Sequence, residues 1–113
     1  MGMEGPFGQA LQEEVEVTKE KVIEQIVANP ENSENGELIG KYIDQLQKKV
    51  DTGQLTSLAF SVEIAELYDE AARQNPYWRE SASDAFYDAA TLANQEGDET
   101  LCDELLRRMR EFE

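Results

Sequence analysis

Apolar residues recur at intervals of three and four along most of this chain, which is the spacing of one face of an α-helix. The stretches with this spacing are 9–28, 37–51 and 55–74, a fourth from Asn75 to Gly97, and a fifth that starts at Asp98 or Thr100 and continues to the C-terminal residues. Residues 14–18 alternate in a way that would also suit a strand, but their helix-forming neighbours favour a helix. The pattern therefore predicts an all-α protein of about five amphipathic helices, without a strand.

Proline and glycine mark most of the predicted helix ends. Pro30 pushes Asn29 out of the α-helical region, so the first helix ends there. Gly53 and Gly97 stand where the second and fourth helices stop, and Pro76 fits the first position of the fourth. Connectors this short make consecutive helices pack roughly antiparallel.

The third predicted helix, 55–74, carries apolar residues on two faces. Its stripes are Leu58, Val62, Ala65 and Ala72 on one face and Phe60, Ile64, Leu67 and Ala71 on the other. A helix that is apolar on two sides usually packs on two sides, so we predict that this helix is central. The length of 113 residues suits one domain. We expect a flexible N-terminus at 1–8 and a single helical domain at 9–113, built as a compact bundle or as stacked helical hairpins.

The composition removes several kinds of chemistry. The chain has no histidine and a single cysteine, Cys102. Catalytic sites that pair Ser or Cys with His cannot be built from it, nor can zinc sites that use several Cys or His ligands. An enzyme that works with two carboxylates is an alternative, but it needs a deeper cleft than a domain this small offers. We therefore expect no enzymatic activity, no metal and no cofactor.

The charge is strongly one-sided, because 25 acidic and 10 basic residues give a net charge of -15. Such a surface repels nucleic-acid phosphates and anionic lipid headgroups and attracts a basic partner. We therefore expect neither direct nucleic-acid binding nor membrane binding. The chain has no apolar run long enough to span a bilayer, and its first residues do not resemble a secretory signal. A cytoplasmic protein is the expectation.

Acidic helical proteins can also imitate DNA and inhibit proteins that bind nucleic acids. A chain of this size exposes about 6,300 Å². Its net charge then averages about one per 400 Å², whereas duplex DNA carries about one per 100 Å². Imitation would require the acidic residues to gather on one face, and they are spread along the chain. A DNA-mimic inhibitor is therefore the first alternative and not the preferred interpretation.

Residues 29–38, NPENSENGEL, combine acids and amides with Gly36 and resemble half of an EF-hand calcium loop. If Gly36 is the sixth position of such a loop, Glu31 is the first, which requires the shorter Asp. Tyr42 is then the twelfth, which requires a Glu that binds with both oxygens. Asn35–Gly36 is also a common turn pair. We therefore predict a connector, with an acidic calcium-binding protein as the second alternative.

Residues 75–81, NPYWRES, are the best candidate for a contact with another protein. Trp, Tyr and Arg are enriched among the residues that contribute most to protein–protein binding. Neighbours on a helix point about 100° apart, so Tyr77, Trp78 and Arg79 cannot all be buried. Trp78 begins the apolar stripe of the fourth helix, and we assign it to the core. Tyr77 and Arg79 are the predicted partner-binding residues.

Together these features favour a small, acidic, non-enzymatic interaction or regulatory protein whose partner is another protein with a basic surface. The sequence is compatible with a monomer and with a homo-oligomer.

Overall fold

The computed structural model describes residues 17–112, and within this range the chain forms five α-helices and one short 3-10 helix. They are α1 (Lys19–Ala28), α2 (Asn35–Asp51), α3 (Ser57–Gln74), the 3-10 helix (Pro76–Trp78), α4 (Arg79–Gln95) and α5 (Glu99–Arg110). Residues 17–112 contain no strand, and the predicted all-α fold is confirmed. The predicted flexible segment 1–8 and the first part of the first predicted helix, 9–16, lie outside the described residues.

α1 begins at Lys19, so the predicted helix over 9–28 is wrong at residues 17 and 18. Thr18 is extended, with φ -85° and ψ 155°, and its hydroxyl accepts a hydrogen bond from the Lys21 backbone N–H at 3.2 Å. Val17 pairs with α2 instead: its N–H donates to Gln45 Oε1 at 2.6 Å, and its carbonyl accepts from Gln45 Nε2 at 2.8 Å. A threonine cap and a side-chain amide thus take the place of helical hydrogen bonds here.

The fourth predicted helix begins as the 3-10 helix Pro76–Trp78, so its predicted start at Pro76 is wrong for α4, which begins at Arg79. Other helix ends follow the signals in the sequence. The side chains of Asn75 and Asp98 accept hydrogen bonds from backbone N–H groups two and three residues further on, at 3.0 and 3.1 Å. Gly53 and Gly97 lie just past α2 and α4 with φ angles of 80° and 83°. This left-handed conformation favours glycine and satisfies the last carbonyls of a helix. Local signals therefore fix where α2, α4 and α5 begin or end.

The helices pack in the order of the chain. Each helix contacts the next, and α1 also contacts α3, so α3 lies between the α1–α2 pair and α4. α5 packs against α4, and the backbone of α5 is not close to the backbone of α1 or α2. The most completely buried large side chains are Val22, Ile26, Leu67, Phe86 and Leu105, from α1, α3, α4 and α5. The central position predicted for the third helix is confirmed, and the serial contacts match stacked helical hairpins.

Burial along α3 is uneven. Leu67 and Ala71, in its second half, have no exposed surface, and neither has Ala65 at its middle. Phe60 and Ile64, in its first half, are only partly buried although they belong to the same apolar pattern. The two-sided burial predicted for this helix is therefore incomplete in its first half, where the partly covered side chains form one wall of a groove.

Candidate functional site

A groove of about 430 Å³ lies between α3 and α4. Its lining is Phe60, Ser61, Ile64 and Tyr68 on α3 and Ser81, Asp84, Ala85 and Asp88 on α4. These eight residues define the α3–α4 groove. Asp84 and Asp88 are exposed, whereas the other six are partly buried. The groove therefore combines an apolar wall on one helix with small residues and two carboxylates on the other.

The walls of the α3–α4 groove have helical periodicity. Phe60, Ile64 and Tyr68 are four residues apart, so they form a line about 12 Å long on one face of α3. Asp84 and Asp88 are also four residues apart, which separates them by about 6 Å along α4. Neither carboxylate forms an ion pair with another residue of the range 17–112. Unpaired carboxylates beside apolar surface suit a ligand that is both apolar and cationic.

An aromatic row continues from the Tyr68 end of the groove. Tyr68 stacks on Trp78 with ring centroids 5.8 Å apart, and Trp78 meets Tyr77 edge-on at 5.1 Å. Trp78 is 8% exposed, and its Nε1–H donates to the Ile26 carbonyl at 2.9 Å, which places it in the core. Tyr77 is 53% exposed. The predicted contact residue Tyr77 therefore lies next to Trp78, which in turn stacks on Tyr68 at one end of the α3–α4 groove.

Arg79, the other predicted partner-binding residue, has different neighbours. Its Nη2 donates to the Glu111 carbonyl at 3.3 Å, and its guanidinium lies 5.9 Å from the centroid of the Phe112 ring. Arg73 approaches the same ring at 5.7 Å and pairs with the Glu111 carboxylate at 2.8 Å. The side chain of Arg79, the first residue of α4, thus contacts the residues that follow α5, whereas Tyr77 belongs to the aromatic row.

A charged network joins α3 to α5 away from the groove. Asp69 is 6% exposed and accepts hydrogen bonds from Arg108 Nη2 and Arg73 Nε, both at 2.9 Å. Arg108 also bonds Glu66 at 3.1 Å and lies 4.7 Å from the centroid of the Phe86 ring. Burial lowers the pKa of Arg108, but its hydrogen bonds to Glu66 and Asp69 outweigh burial and raise the pKa above its ordinary value. Each charged side chain in this network pairs with one of opposite charge in the same network. The network therefore holds α3 and α5 together.

A second groove, of about 370 Å³, lies between α1 and α3 and includes Glu20 and Glu70 in its lining. Lys19 already pairs with Glu70 at 3.6 Å. Burial, together with the negative charges of Glu63, Glu20 and Glu70, raises the pKa of the nearby Tyr42 to about 12. Glu24 also lines this groove, and neither Glu20 nor Glu24 forms an ion pair within residues 17–112, so charge does not distinguish the two grooves. The second groove is the weaker candidate because its apolar lining is smaller: Ile23 is buried, and Val27 stands where the α3–α4 groove has Phe60, Ile64 and Tyr68.

The segment 29–38 forms hydrogen bonds among its own residues. α2 begins at Asn35, so the turn predicted at Asn35–Gly36 is wrong and the connector itself ends at residue 34. The buried Asn35 side chain donates from Nδ2 to the Asn29 carbonyl at 2.6 Å. Asn32 accepts from the Glu34 backbone N–H at 2.8 Å. Among residues 17–112, no three or more His, Cys, Asp or Glu side chains are grouped so that they could hold a metal ion. The polar side chains of this segment thus shape the turn that leads into α2.

No family model, no curated protein and no solved structure matches this chain. Its function is therefore argued from its own geometry and charge. Among the described residues, no helix is both long enough and apolar enough to cross a membrane.

The sequence analysis predicted that Tyr77 is exposed, as the structure shows, but it did not predict the α3–α4 groove. The apolar pattern assigns Phe60 and Ile64 to the buried face of α3, whereas the structure leaves them partly uncovered. A signal was present on the next helix, in the order Ser81, Asp84, Ala85 and Asp88. Side chains this small or this polar cannot cover a neighbouring line of large apolar groups.

Proposed function

We propose that this chain is a small, acidic, non-enzymatic interaction protein that binds a basic segment of another protein through the α3–α4 groove. One observation carries the proposal: the partly uncovered line Phe60, Ile64 and Tyr68 shares a groove with the unpaired carboxylates of Asp84 and Asp88. The cytoplasmic location expected from the sequence belongs to the same proposal.

Apolar contact and charge have separate parts in this binding. The partly buried side chains of α3 lose their remaining contact with water when a partner covers them, which contributes about 25 cal/mol per Å² of apolar surface. The carboxylates at the edge select a cationic partner and fix its position. The net charge of -15 attracts such a partner from a distance and speeds encounter.

The groove also favours a protein partner over the DNA-mimic alternative. A mimic presents a dense acidic surface, and the α3–α4 groove instead places large apolar side chains between its charges. At the end of α5, the exposed Arg73, Arg79 and Arg107 gather positive charge around Glu111, which interrupts the acidic surface. We therefore prefer a basic protein segment as the ligand.

Affinity capture with matched variants tests this function. Immobilised wild-type chain and the D84N/D88N variant are incubated with an extract of the source cells at about 50 mM and about 500 mM salt, and the retained proteins are compared by quantitative mass spectrometry. The control variant D44N/D103N removes the same amount of charge from exposed positions outside both grooves.

The proposal expects a basic protein that wild type and the D44N/D103N control retain and that D84N/D88N releases. Equal retention by all three proteins would show that the α3–α4 groove is not the contact surface. Retention of DNA-binding proteins that added duplex DNA displaces from all three would favour the DNA mimic instead.

A further inference from the structure

The two walls of the α3–α4 groove differ in size. The α3 wall carries the large side chains of Phe60, Ile64 and Tyr68, and the α4 wall carries the small side chains of Ser81 and Ala85. α3 and α4 pack against each other and are joined only by the 3-10 helix. Rows of side chains four residues apart form the ridges and grooves by which one helix packs on another. The large side chains of the α3 wall and the small side chains of the α4 wall therefore form a surface on which a third helix can pack.

We propose that the occupant of the α3–α4 groove is an amphipathic α-helix of a basic partner protein, with Lys or Arg residues four apart beside its apolar stripe. This inference rests on the proposed function and adds the conformation and the charge spacing of the bound segment. The apolar stripe covers Phe60, Ile64 and Tyr68, and the cationic pair meets Asp84 and Asp88.

Backbone hydrogen bonding favours a helix over an extended segment. Residues 17–112 contain no strand, so this part of the chain offers no sheet edge to which an extended peptide could add. The backbone groups in the middle of α3 and α4 are paired within their own helices. An extended peptide would leave its own N–H and carbonyl groups facing the apolar wall without partners, which is unfavourable. A helix satisfies those groups internally.

Charge indicates that the occupant belongs to another protein. Asp84 and Asp88 are exposed and unpaired within the described range. The segment 1–16 of this chain contains Glu4, Glu13, Glu14 and Glu16 and neither Lys nor Arg, so it would be repelled. A second copy of the chain brings a net charge of -15. A basic helix from a different protein is the complementary partner.

The probes are three fluorescent synthetic peptides of equal length. The first places Leu at intervals of three and four with Lys pairs four apart beside the Leu stripe, and the second has the same composition with Leu and Lys alternating. The third is the first with Glu for every Lys. Fluorescence polarisation measures their binding to wild type, to the charge-swapped D84K/D88K and to the matched control D44K/D103K, and circular dichroism follows peptide helicity on binding.

Wild type and D44K/D103K are expected to bind the Lys helix at least about tenfold more tightly than the alternating peptide, with a gain in peptide helicity. D84K/D88K is expected to bind the Lys helix about tenfold more weakly, because it removes two exposed ion pairs, which together contribute about threefold, and adds repulsion of about the same size. The same variant is expected to gain binding of the Glu helix. If D84K/D88K loses its own helical spectrum, D84N/D88N replaces it, with an expected loss of about threefold.

The outcomes separate this inference from the proposed function. If the alternating peptide binds wild type as tightly as the Lys helix and is equally weakened in D84K/D88K, the groove binds basic segments but the helical occupant is overturned. If both Lys peptides bind all three proteins alike, the helical occupant and the groove as a contact surface both fail.

Discussion

Tyr77 and Trp78 are neighbours in sequence with opposite environments. Trp78 is 8% exposed and donates to the Ile26 carbonyl, whereas Tyr77 is 53% exposed. We expect Trp78→Ala to lower the free energy of unfolding by about 3–5 kcal/mol, because it leaves a cavity between α1, α3 and α4. Tyr77→Ala is expected to change it by less than about 1 kcal/mol. Urea unfolding of both variants measures the difference.

Trp78→Phe separates the ring of Trp78 from its hydrogen bond. The substitution keeps an aromatic side chain beside Tyr68 but leaves the Ile26 carbonyl without its donor, so an intermediate loss of about 1–3 kcal/mol is expected. A loss for Tyr77→Ala as large as for Trp78→Ala would show that Tyr77 supports the core and is not available to a partner.

Tyr42 makes the stability of the fold depend on alkaline pH. Burial and the neighbouring carboxylates raise its pKa to about 12 in the folded chain, from about 10 in the unfolded chain. Between these values the unfolded chain has lost the Tyr42 proton while the folded chain keeps it. The stabilisation is therefore complete below about pH 10 and is lost as pH rises to about 12, by about 2–3 kcal/mol in total.

Unfolding measured from about pH 9 to about pH 12, a range that spans both pKa values, gives this effect as a difference between wild type and Tyr42→Phe. The variant is expected to lose less stability than wild type across that range. Tyr68→Phe is the matched control, because burial raises the pKa of Tyr68 as well but without contributions from Glu20, Glu63 and Glu70. Parallel curves for wild type and Tyr42→Phe would contradict the assignment.

At the scale of helices, the contact between α3 and α5 depends on a few charged groups. Arg108 bonds the buried Asp69 and Glu66, and its side chain is 20% exposed. Arg108→Ala leaves Asp69 with Arg73 alone, and we expect a loss of about 2–4 kcal/mol, somewhat below the value for a fully buried pair. A double-mutant cycle with Asp69→Ala is the measurement. The double variant is expected to lose less stability than the sum of the two single variants, and strict additivity would contradict a direct interaction.

Short-range signals made most helix ends predictable from the sequence. Asn75, Gly97 and Asp98 act through hydrogen bonds or backbone angles within three or so residues, so the sequence around each contains the whole cause. The start of α1 has one signal of this kind and one that the surrounding sequence does not contain. Thr18 caps the helix through the Lys21 N–H three residues further on, whereas Gln45, which binds the Val17 backbone, lies 28 positions away. A contact at that distance could not be predicted from the local sequence.

The candidate site was less predictable than the helices for the same reason. The charged pair of Asp69 and Arg108, which lies outside the groove, shows the difficulty: it joins residues 39 positions apart, and helical spacing alone does not set the register of α3 against α5. The α3–α4 groove likewise depends on which residues of α4 stand opposite Phe60 and Ile64. Sequence reasoning could identify both helices and the exposed Tyr77, but not the surface that their packing leaves uncovered.

At the scale of the whole molecule, the fold does not depend on a metal that the described residues could bind, because no three or more of their His, Cys, Asp or Glu side chains are grouped as metal ligands. Caps, apolar packing and ion pairs stabilise the helices instead. We therefore expect the far-UV circular dichroism spectrum and the melting temperature to be unchanged by excess chelator. Addition of calcium at about 1 mM, the range of weak extracellular sites, is expected to leave the melting temperature within the scatter of a magnesium control. A helical signal lost in chelator and restored by calcium would show that the connector interpretation of 29–38 is wrong.

The net charge of -15 gives fold stability and partner binding opposite responses to salt. Three of the seven described ion pairs have both side chains exposed, and such pairs contribute about 0–1 kcal/mol each, so screening them costs little. Screening the repulsion among the excess of acidic residues favours the compact state. We therefore expect the melting temperature to rise by a few degrees between about 20 mM and about 500 mM sodium chloride.

Binding of a basic partner is expected to change in the other direction, because the same salt screens the attraction between its cations and Asp84 and Asp88. Thermal unfolding and fluorescence polarisation of the Lys-helix peptide, in one salt series, measure both responses on the same preparation. In D84N/D88N the melting temperature is expected to keep its rise, whereas the salt dependence of binding becomes shallower. If salt strengthened or did not change peptide binding to wild type, apolar contact alone would account for the affinity, and the carboxylates of α4 would have no part in recognising the partner.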